Sequence, residues 1–355
     1  MGRIRRLRAS LTGAAVEALL VTNLTNVRYL CGFSGTNGQL LVSPTAATFF
    51  TDGRYRARAA DLVEEADVVV YDANLHESLA PTLESSGTAK VGIEAATMSV
   101  AQRDHLDEKL GGVELVATKN LVEELRRHKE SEEVSLLREA IRIGDEAFGW
   151  VLERLGPGRT EREIALELEV EMRRRGADAV AFEPIVGSGP LSAHIHHAPS
   201  DRELARGDLV LLDFGARWQG YCSDLTRTVV LGPATDDQRK VYATVLAAQS
   251  AGIEAAAPGA SGVECDAAAR QVVDDAGFGE TFGHGLGHGV GLDIHEAPRL
   301  HKTSEDTLAA GDVVTVEPGI YVTGTGGVRI EDCVLVTEDG SEVLGKAPKD
   351  DLIEL

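Results

Sequence analysis

Apolar residues recur along the first part of the chain at two periods. Ile4, Leu7, Leu11, Ala14, Ala15 and Ala18 fall at i, i+3, i+4 spacing, which predicts an amphipathic helix. Short apolar runs at residues 18–21, 48–51, 68–71 and 91–93 predict strands, and the stretches 55–65, 76–84 and 100–110 between them predict helices. Such alternation predicts a small α/β domain over residues 1–128. A charged stretch from Glu123 to Glu133 leads into one helical face made by Val134, Leu137, Ile141, Gly144 and Phe148. Ser131 is its expected N-cap, with Glu132 and Glu133 suited to the first-turn dipole. The rest, residues 129–355, reads as a second domain: helices near 132–155 and 160–175, then β-branched runs rich in glycine and histidine.

Composition narrows the function. Lys+Arg is 35 against Asp+Glu 57, a net charge of −22 over 355 residues. A surface that acidic repels phosphate, which argues against nucleic acid and anionic membranes as partners. Four separated cysteines (Cys31, Cys222, Cys265, Cys333) form no CxxC pair, which argues against a disulfide scaffold or a thiolate zinc site. No apolar run reaches the ~20 residues of a membrane span. Glu17 interrupts the apolar stretch after Arg3, Arg5, Arg6 and Arg8, so a signal peptide is the weaker reading and a cytoplasmic protein the expectation.

Chemistry concentrates in three segments. In DLVLLDFGARWQGYCSDLTRTVVL, residues 208–231, two β-rich runs flank a tight turn. With Trp218 and Gln219 at its centre, Asp213 would sit directly opposite Asp224, Cβ atoms ~4.5–5.5 Å apart. A divalent cation would relieve their repulsion; a slipped register that exposes one of them is the alternative. In FGHGLGHGVGLDIHE, residues 282–296, every second residue from Gly283 to Gly291 is glycine. That pattern predicts an extended chain with His284 and His288 on one face and room for close packing on the other. The alternative is a flexible loop with incidental histidines. In VVTVEPGIYVTGTGGVRIEDCVLV, residues 313–336, Glu317 ends one run, and Arg329 and Glu331 share a face of the next, where they could pair. Four carboxylates and one imidazole suit two divalent cations of the Mn²⁺, Co²⁺, Fe²⁺ or Zn²⁺ type. Two such ions ~3.5–4 Å apart can generate a hydroxide and polarise a carbonyl. Neither HExxH nor GxSxG is present.

These segments resemble the pita-bread metallopeptidases, the family of methionine aminopeptidase, aminopeptidase P and prolidase. The aspartate pair Asp213/Asp224, the HGLGH ending at His288, the VEPG at Glu317 and the RIED at Glu331 match the family's ligand motifs in order. The resemblance implies an α+β architecture: a pita-bread catalytic domain preceded by a creatinase-type α/β domain. It implies two metal ions, manganese first, with cobalt, zinc or iron as alternatives. Asp213 would bind one ion, His288 and Glu317 the other, and Asp224 and Glu331 would bridge them. Glu317 would shuttle a proton; His196, His284 and His295 would hold the substrate or tetrahedral intermediate; Arg329 would support Glu331. FEPIVGSGP at residues 182–190, followed by HHAPSDR, is similar to the Xaa-Pro-cleaving branch. That branch carries proline before the catalytic histidine, where this chain has Ile195 and an extra His194; spacing to Asp213 favours His196 over His194 or His197.

YLCGFSGTNGQLLV and TDGRY (residues 51–55) resemble the creatinase-type domain, which methionine aminopeptidase lacks and which implies a homodimer. The expected activity is therefore hydrolysis of peptides with proline at the second position. TDGRY favours the aminopeptidase P type; the alternative is a prolidase restricted to Xaa-Pro dipeptides. Metal-free creatinase chemistry and a non-catalytic pita-bread binding module fit less well, since no ligand is missing. Cys222 shares the expected strand face of Asp224, which would expose it to mercurials; otherwise it is a small buried residue.

Overall fold

The protein is described here as a computed structural model, covering residues 2–355. Two compact units divide it, one through Arg126 and one from Arg127 to Leu355. No helix among the described residues is long and apolar enough to cross a membrane.

In the first unit the helix Arg3–Gly13 buries Ile4, Leu7 and Leu11 and stops there; Ala14 and Ala15 follow it, and Ala18 already belongs to the strand Ala18–Val21. That strand lies at the centre of a six-stranded mixed sheet. Its order is Asp67–Tyr71, Ala47–Asp52, Gln39–Val42, Ala18–Val21, Lys90–Glu94, Glu114–Thr118. Gln39–Val42 is antiparallel to both its neighbours, and the other three pairs are parallel. The helix Leu24–Cys31 is capped by the Asn23 side chain and ends at Gly32, which is left-handed (φ +79°).

Two of the four sheets of the second unit are covered by helix pairs. The long helix Ser131–Leu152 begins one residue earlier than expected. Glu130 is its N-cap, in a reciprocal capping box with Glu133, and Ser131 is the first helical residue. With Glu161–Arg174 it packs on Val210, Leu212, Phe214 and Val229 of one sheet, ordered Leu225–Val230, Leu209–Phe214, Ile185–Ser188. The helices Asp236–Ala255 and Gly262–Asp275 pack with Val314, Val316, Ile320, Val328 and Val334. Val314, Val316 and Val334 come from the second sheet, ordered Glu296–Leu300, Gly287–Gly289, Val313–Val316, Asp332–Val336, Ser341–Val343, and Ile320 and Val328 from the hairpin Gly319–Val322/Gly326–Arg329. Both long strands of the first sheet are buried along their whole length, so their alternate residues face two different interiors.

The register of that sheet differs from the expected one by two residues. The hairpin turn is Gln219-Gly220, with both residues at positive φ (+44° and +86°), the conformation of a two-residue type I′ connection. Trp218 therefore pairs with Tyr221, and Asp213 pairs with Thr226 rather than Asp224. A two-residue shift preserves side-chain parity, so Asp213, Thr226 and Asp224 still share a face, with the two aspartates diagonal. Gly215 is needed here: a Cβ on it would lie 1.9 Å from the Ser223 carbonyl oxygen.

Gln219 occupies a backbone region that asparagine tolerates better. Gln219→Asn should stabilise the protein by about 0.4–1 kcal/mol, seen as a higher urea midpoint at unchanged m-value, the scale of a backbone-compatible substitution. A lowered midpoint would contradict the turn assignment.

Candidate functional site

One cavity of about 930 Å³ lies within the second unit, and its lining brings together all nine side chains singled out from the sequence. These are His196, Asp213, Asp224, His284, His288, His295, Glu317, Arg329 and Glu331.

The carboxylates arrive on strands or at their ends. Asp213 lies in Leu209–Phe214, on the face opposite Leu212 and Phe214, and Asp224 immediately precedes Leu225–Val230. Glu317 follows Val313–Val316, and Glu331 lies between two strands. The sequence suggested that Arg329 and Glu331 share one strand. In the structure the run breaks at Ile330 and Glu331: Arg329 ends Gly326–Arg329, which pairs with Gly319–Val322, while Asp332 begins a strand of another sheet.

The histidine segment is less regular than predicted. Only Gly287–Gly289 is a strand, with an irregularity after His288, and His284 precedes it. The glycines do permit close packing: a Cβ on Gly287 would lie 2.0 Å from the Thr315 carbonyl oxygen, and one on Gly289 2.2 Å from that of Ala297. His288 Nδ1 faces the Gly289 carbonyl at 3.1 Å, which leaves Nε2 for the cavity, 3.3 Å from Glu317 Oε1 and 3.7 Å from Asp224 Oδ2. Ligand atoms of Asp224, His288 and Glu331 all lie within 4.8 Å of one another. Asp213 Oδ1 is buried with no hydrogen-bond partner.

Arg329 is tied to Asp213 rather than to Glu331. It donates to Asp213 Oδ2, to the Tyr321 hydroxyl (2.8 Å) and, through Nε, to Thr226 Oγ1 (3.1 Å). Thr226 in turn donates to Glu331 Oε2 at 2.6 Å, so the arginine reaches Glu331 only through that hydroxyl. Tyr321 accepts from Arg329, so its own proton points to His284 Nε2, 2.8 Å away. His284 then carries its proton on Nδ1, facing the Gly285 carbonyl at 2.7 Å. Both of its ring nitrogens are engaged inside the protein, which differs from the substrate-holding role implied for it. His196 lines the cavity, whereas His194 and His197 do not.

Sequence reasoning missed three hydroxyls: Thr226, Tyr321 and Thr315. Thr315 accepts from the His288 backbone N–H (3.0 Å) and donates to Glu317 Oε1 (3.1 Å). In strands, threonine and tyrosine are ordinary residues, and nothing in their spacing marks them. Arg299, also in the cavity wall, was missed because it belongs to no ligand pattern.

Burial raises the pKa of Asp213, Asp224 and Glu331, and repulsion from neighbouring carboxylates adds to it. Desolvation, then Glu331 and Asp213, push Asp224 well above the usual carboxylate range; desolvation, then Glu317 and Asp213, do the same to Glu331. Desolvation also lifts Asp213, opposed by Arg329. Glu317 is the exception. Desolvation pushes it up, but the hydrogen bond and charge of His288 outweigh that and hold it at about 2. Burial, then the charge of His288, lower the His295 imidazole; the two rings stand edge to face, 4.4 Å between centroids.

Cys222 does not line the cavity. It packs with Leu137, Ile141, Val290, Val313 and Cys333, and burial pushes its thiol up to about 12. Burial likewise raises Cys31 and Cys265 to about 11 and Cys333 well above its ordinary value. All four cysteines are buried and free. A chromogenic disulfide reagent should therefore label none in the native protein and four after unfolding. Fast labelling of one native thiol would contradict this packing.

Comparison with known proteins gives a consistent result. The profile of metallopeptidase family M24 matches residues 135–338, and that of the creatinase/prolidase N-terminal domain matches residues 3–128. The chain is similar to an Xaa-Pro dipeptidase of Pyrococcus furiosus, 36% identical over 98% of this chain and 99% of that one. Among solved structures it is similar to an Xaa-Pro dipeptidase from Bacillus anthracis, with TM-score 0.97, 41% identity and 99% of both chains covered. It is also similar to an X-Pro aminopeptidase from Thermotoga maritima, with TM-score 0.92, 33% identity, 98% of this chain and 100% of that one.

Proposed function

The chain belongs to metallopeptidase family M24, with a creatinase-type N-terminal domain, and we propose that within it the protein is an Xaa-Pro dipeptidase, a prolidase. The observation that carries this reading is Arg299. It is exposed in the wall of the cavity, on the strand Glu296–Leu300, and no carboxylate among the described residues is paired with its side chain. In a dipeptide the terminal carboxylate sits one residue beyond the scissile bond, and a free guanidinium is the group that binds a carboxylate in bidentate fashion. Similarity to Xaa-Pro dipeptidases supports the same choice. The aminopeptidase P reading rested on TDGRY, and that segment has a local explanation. Asp52 accepts from the Arg54 backbone N–H (2.9 Å) and pairs with its side chain, closing the turn at Gly53–Tyr55.

The residues fit two divalent cations. Asp213 Oδ1 is a buried acceptor without a donor, His288 presents Nε2 with Nδ1 held by a carbonyl, and two crowded carboxyls are driven toward protonation. Asp213 would hold one ion, His288 and Glu317 the other, with Asp224 and Glu331 shared. When bound, such ions polarise the scissile carbonyl and lower the pKa of water.

The chain's own groups do the rest. Glu317, kept ionised at the bond to be cut, takes a proton from the attacking water and passes it to the proline nitrogen, which must be protonated to leave. That nitrogen has no N–H in the substrate, so a site of this kind needs no acceptor for one. His196 donates to the carbonyl oxygen as negative charge develops on it. His295, kept neutral at the rim, offers a further donor. Tyr321 and Arg329 hold His284 and Asp213 in place. A binding module without catalysis would have lost part of this set, and all nine side chains are present.

Removal of metal tests the centre. Dialysis against a chelator should abolish hydrolysis of an Xaa-Pro dipeptide, and Mn²⁺ should restore it with about two ions bound per chain. Glu331→Ala should lower the bound metal as well as the rate. Full activity in metal-free protein would overturn the assignment.

Substrate length is tested with an Xaa-Pro dipeptide, its C-terminal amide and an Xaa-Pro-Xaa tripeptide. The free dipeptide should be the best substrate. Arg299→Gln should raise its KM about 10- to 100-fold, the loss of a charged hydrogen bond of ~1.5–3 kcal/mol, with little effect on the amide. Equal kcat/KM for dipeptide and tripeptide would favour the aminopeptidase P type instead.

A further inference from the structure

The loop that brings Ile195 and His196 to the cavity, residues 189–199, is fastened at both ends by one buried side chain. Glu161 is the first residue of the helix Glu161–Arg174 and has no exposed surface. Its Oε1 accepts from the backbone N–H (2.8 Å) and hydroxyl (2.7 Å) of Ser188, where the strand Ile185–Ser188 ends and the loop begins. Its Oε2 accepts from the backbone N–H (3.0 Å) and hydroxyl (2.6 Å) of Ser200, where the loop ends, and faces His197 Nε2 at 2.8 Å. Arg202 backs the buckle from behind. It donates to Ser188 Oγ (2.6 Å) and pairs with Asp208 (2.6 Å).

All five side-chain contacts of Glu161 go to this loop and its two ends. The helix start does not require them, because Thr160 and Glu163 already form its capping box. Burial would push the Glu161 carboxyl up, but the hydrogen bonds from Ser200, Ser188 and His197 outweigh it and keep the group ionised. The ring of His197 is thereby turned onto Glu161, while the neighbouring His196 lines the cavity.

We propose that Glu161 is a positioning residue for the reaction: by closing both ends of the 189–199 loop it fixes His196 where the scissile carbonyl will lie. This rests on the reading of His196 given above. A carboxylate that only added stability could bond anywhere in the core; one that spans a single loop from end to end sets that loop's shape.

The test is a double-mutant cycle on the Mn²⁺-loaded protein with Glu161→Gln, His196→Ala and the pair, reading kcat, KM, Mn²⁺ affinity by calorimetry and Tm. Glu161→Gln should lower kcat about 10- to 100-fold, the scale of a slightly misplaced catalytic group, with KM and Mn²⁺ affinity unchanged. His196→Ala should lower kcat about 10²- to 10³-fold, and adding Glu161→Gln to it should cost less than about twofold more. Losses that multiply in the pair, or full kcat in Glu161→Gln, would overturn the proposal. Undiminished kcat in His196→Ala would instead overturn the reading beneath it, and the proposal with it. Ser200→Ala, which deletes one of the five contacts, serves if Glu161→Gln does not fold. It should lower kcat a few-fold and again add nothing to His196→Ala, and multiplied losses there would count equally against the proposal.

Discussion

Four carboxyl groups largely withdrawn from water in one cavity impose the constraint on which the second unit depends. Asp213, Asp224, Glu317 and Glu331 repel one another in a setting where desolvation already disfavours their charge. Within the cavity Arg329 pairs with Asp213 and His288 with Glu317, which offsets part of that repulsion. A chain that folded for stability alone would replace such a cluster with apolar residues of similar size. Its retention makes sense if the balance is completed by cations, and the surroundings are arranged so that the cluster cannot relax when they are absent. Thr226 joins Arg329 to Glu331, Thr315 joins His288 to Glu317, and Tyr321 joins Arg329 to His284. Each hydroxyl both accepts and donates, so each fixes two neighbours at once.

The rigidity of that arrangement comes from the sheets. Leu209–Phe214 and Leu225–Val230 are buried on both faces, so a strand cannot shift without moving Val210, Leu212 and Phe214 out of the packing with the helix pair above. On the other side Gly287 and Gly289 bring backbone against backbone, leaving no room for a small displacement of His288. His196 has no such support, because it sits on a loop. Precision there must come from hydrogen bonds, and the buried acceptor at Glu161 supplies them.

What was legible in the sequence follows the same physics. The metal-type residues stood out because ionisable side chains inside β-rich runs are costly, and one metal centre accounts for Asp213, Glu317 and Glu331 together, where an Arg329 pair or a slipped register accounts for one at a time. Their common face was also readable, since strand parity survives a two-residue error in register. The register itself was not. It depends on whether Trp218-Gln219 or Gln219-Gly220 forms the turn, and Gln219 adopts a positive φ that its residue type does not announce. The break at Ile330 was hidden for a related reason: residues on either side of it are equally β-prone, and only the pairing of Arg329 with Gly319 and Asp332 with Val316 reveals two strands. Ser131 looked like a cap because serine usually is one, but the reciprocal bonds of Glu130 and Glu133 outcompete it.

The groups proposed for the chemistry and the one proposed to select substrate length lie on different parts of this framework. The carboxylates, His288 and their hydroxyl partners sit where strands are buried on both faces or packed backbone to backbone. Arg299 lies on Glu296–Leu300, an edge strand of its sheet, exposed and followed by residues 301 and 303–306, which also line the cavity. An edge strand tolerates substitution because few neighbours must adjust. If Arg299 binds the substrate carboxylate as proposed, the length of peptide accepted can change through it and the residues after it without disturbing the carboxylate cluster. A common hydrolytic centre with a separately adjustable wall is the physical basis on which one fold can serve substrates of different length.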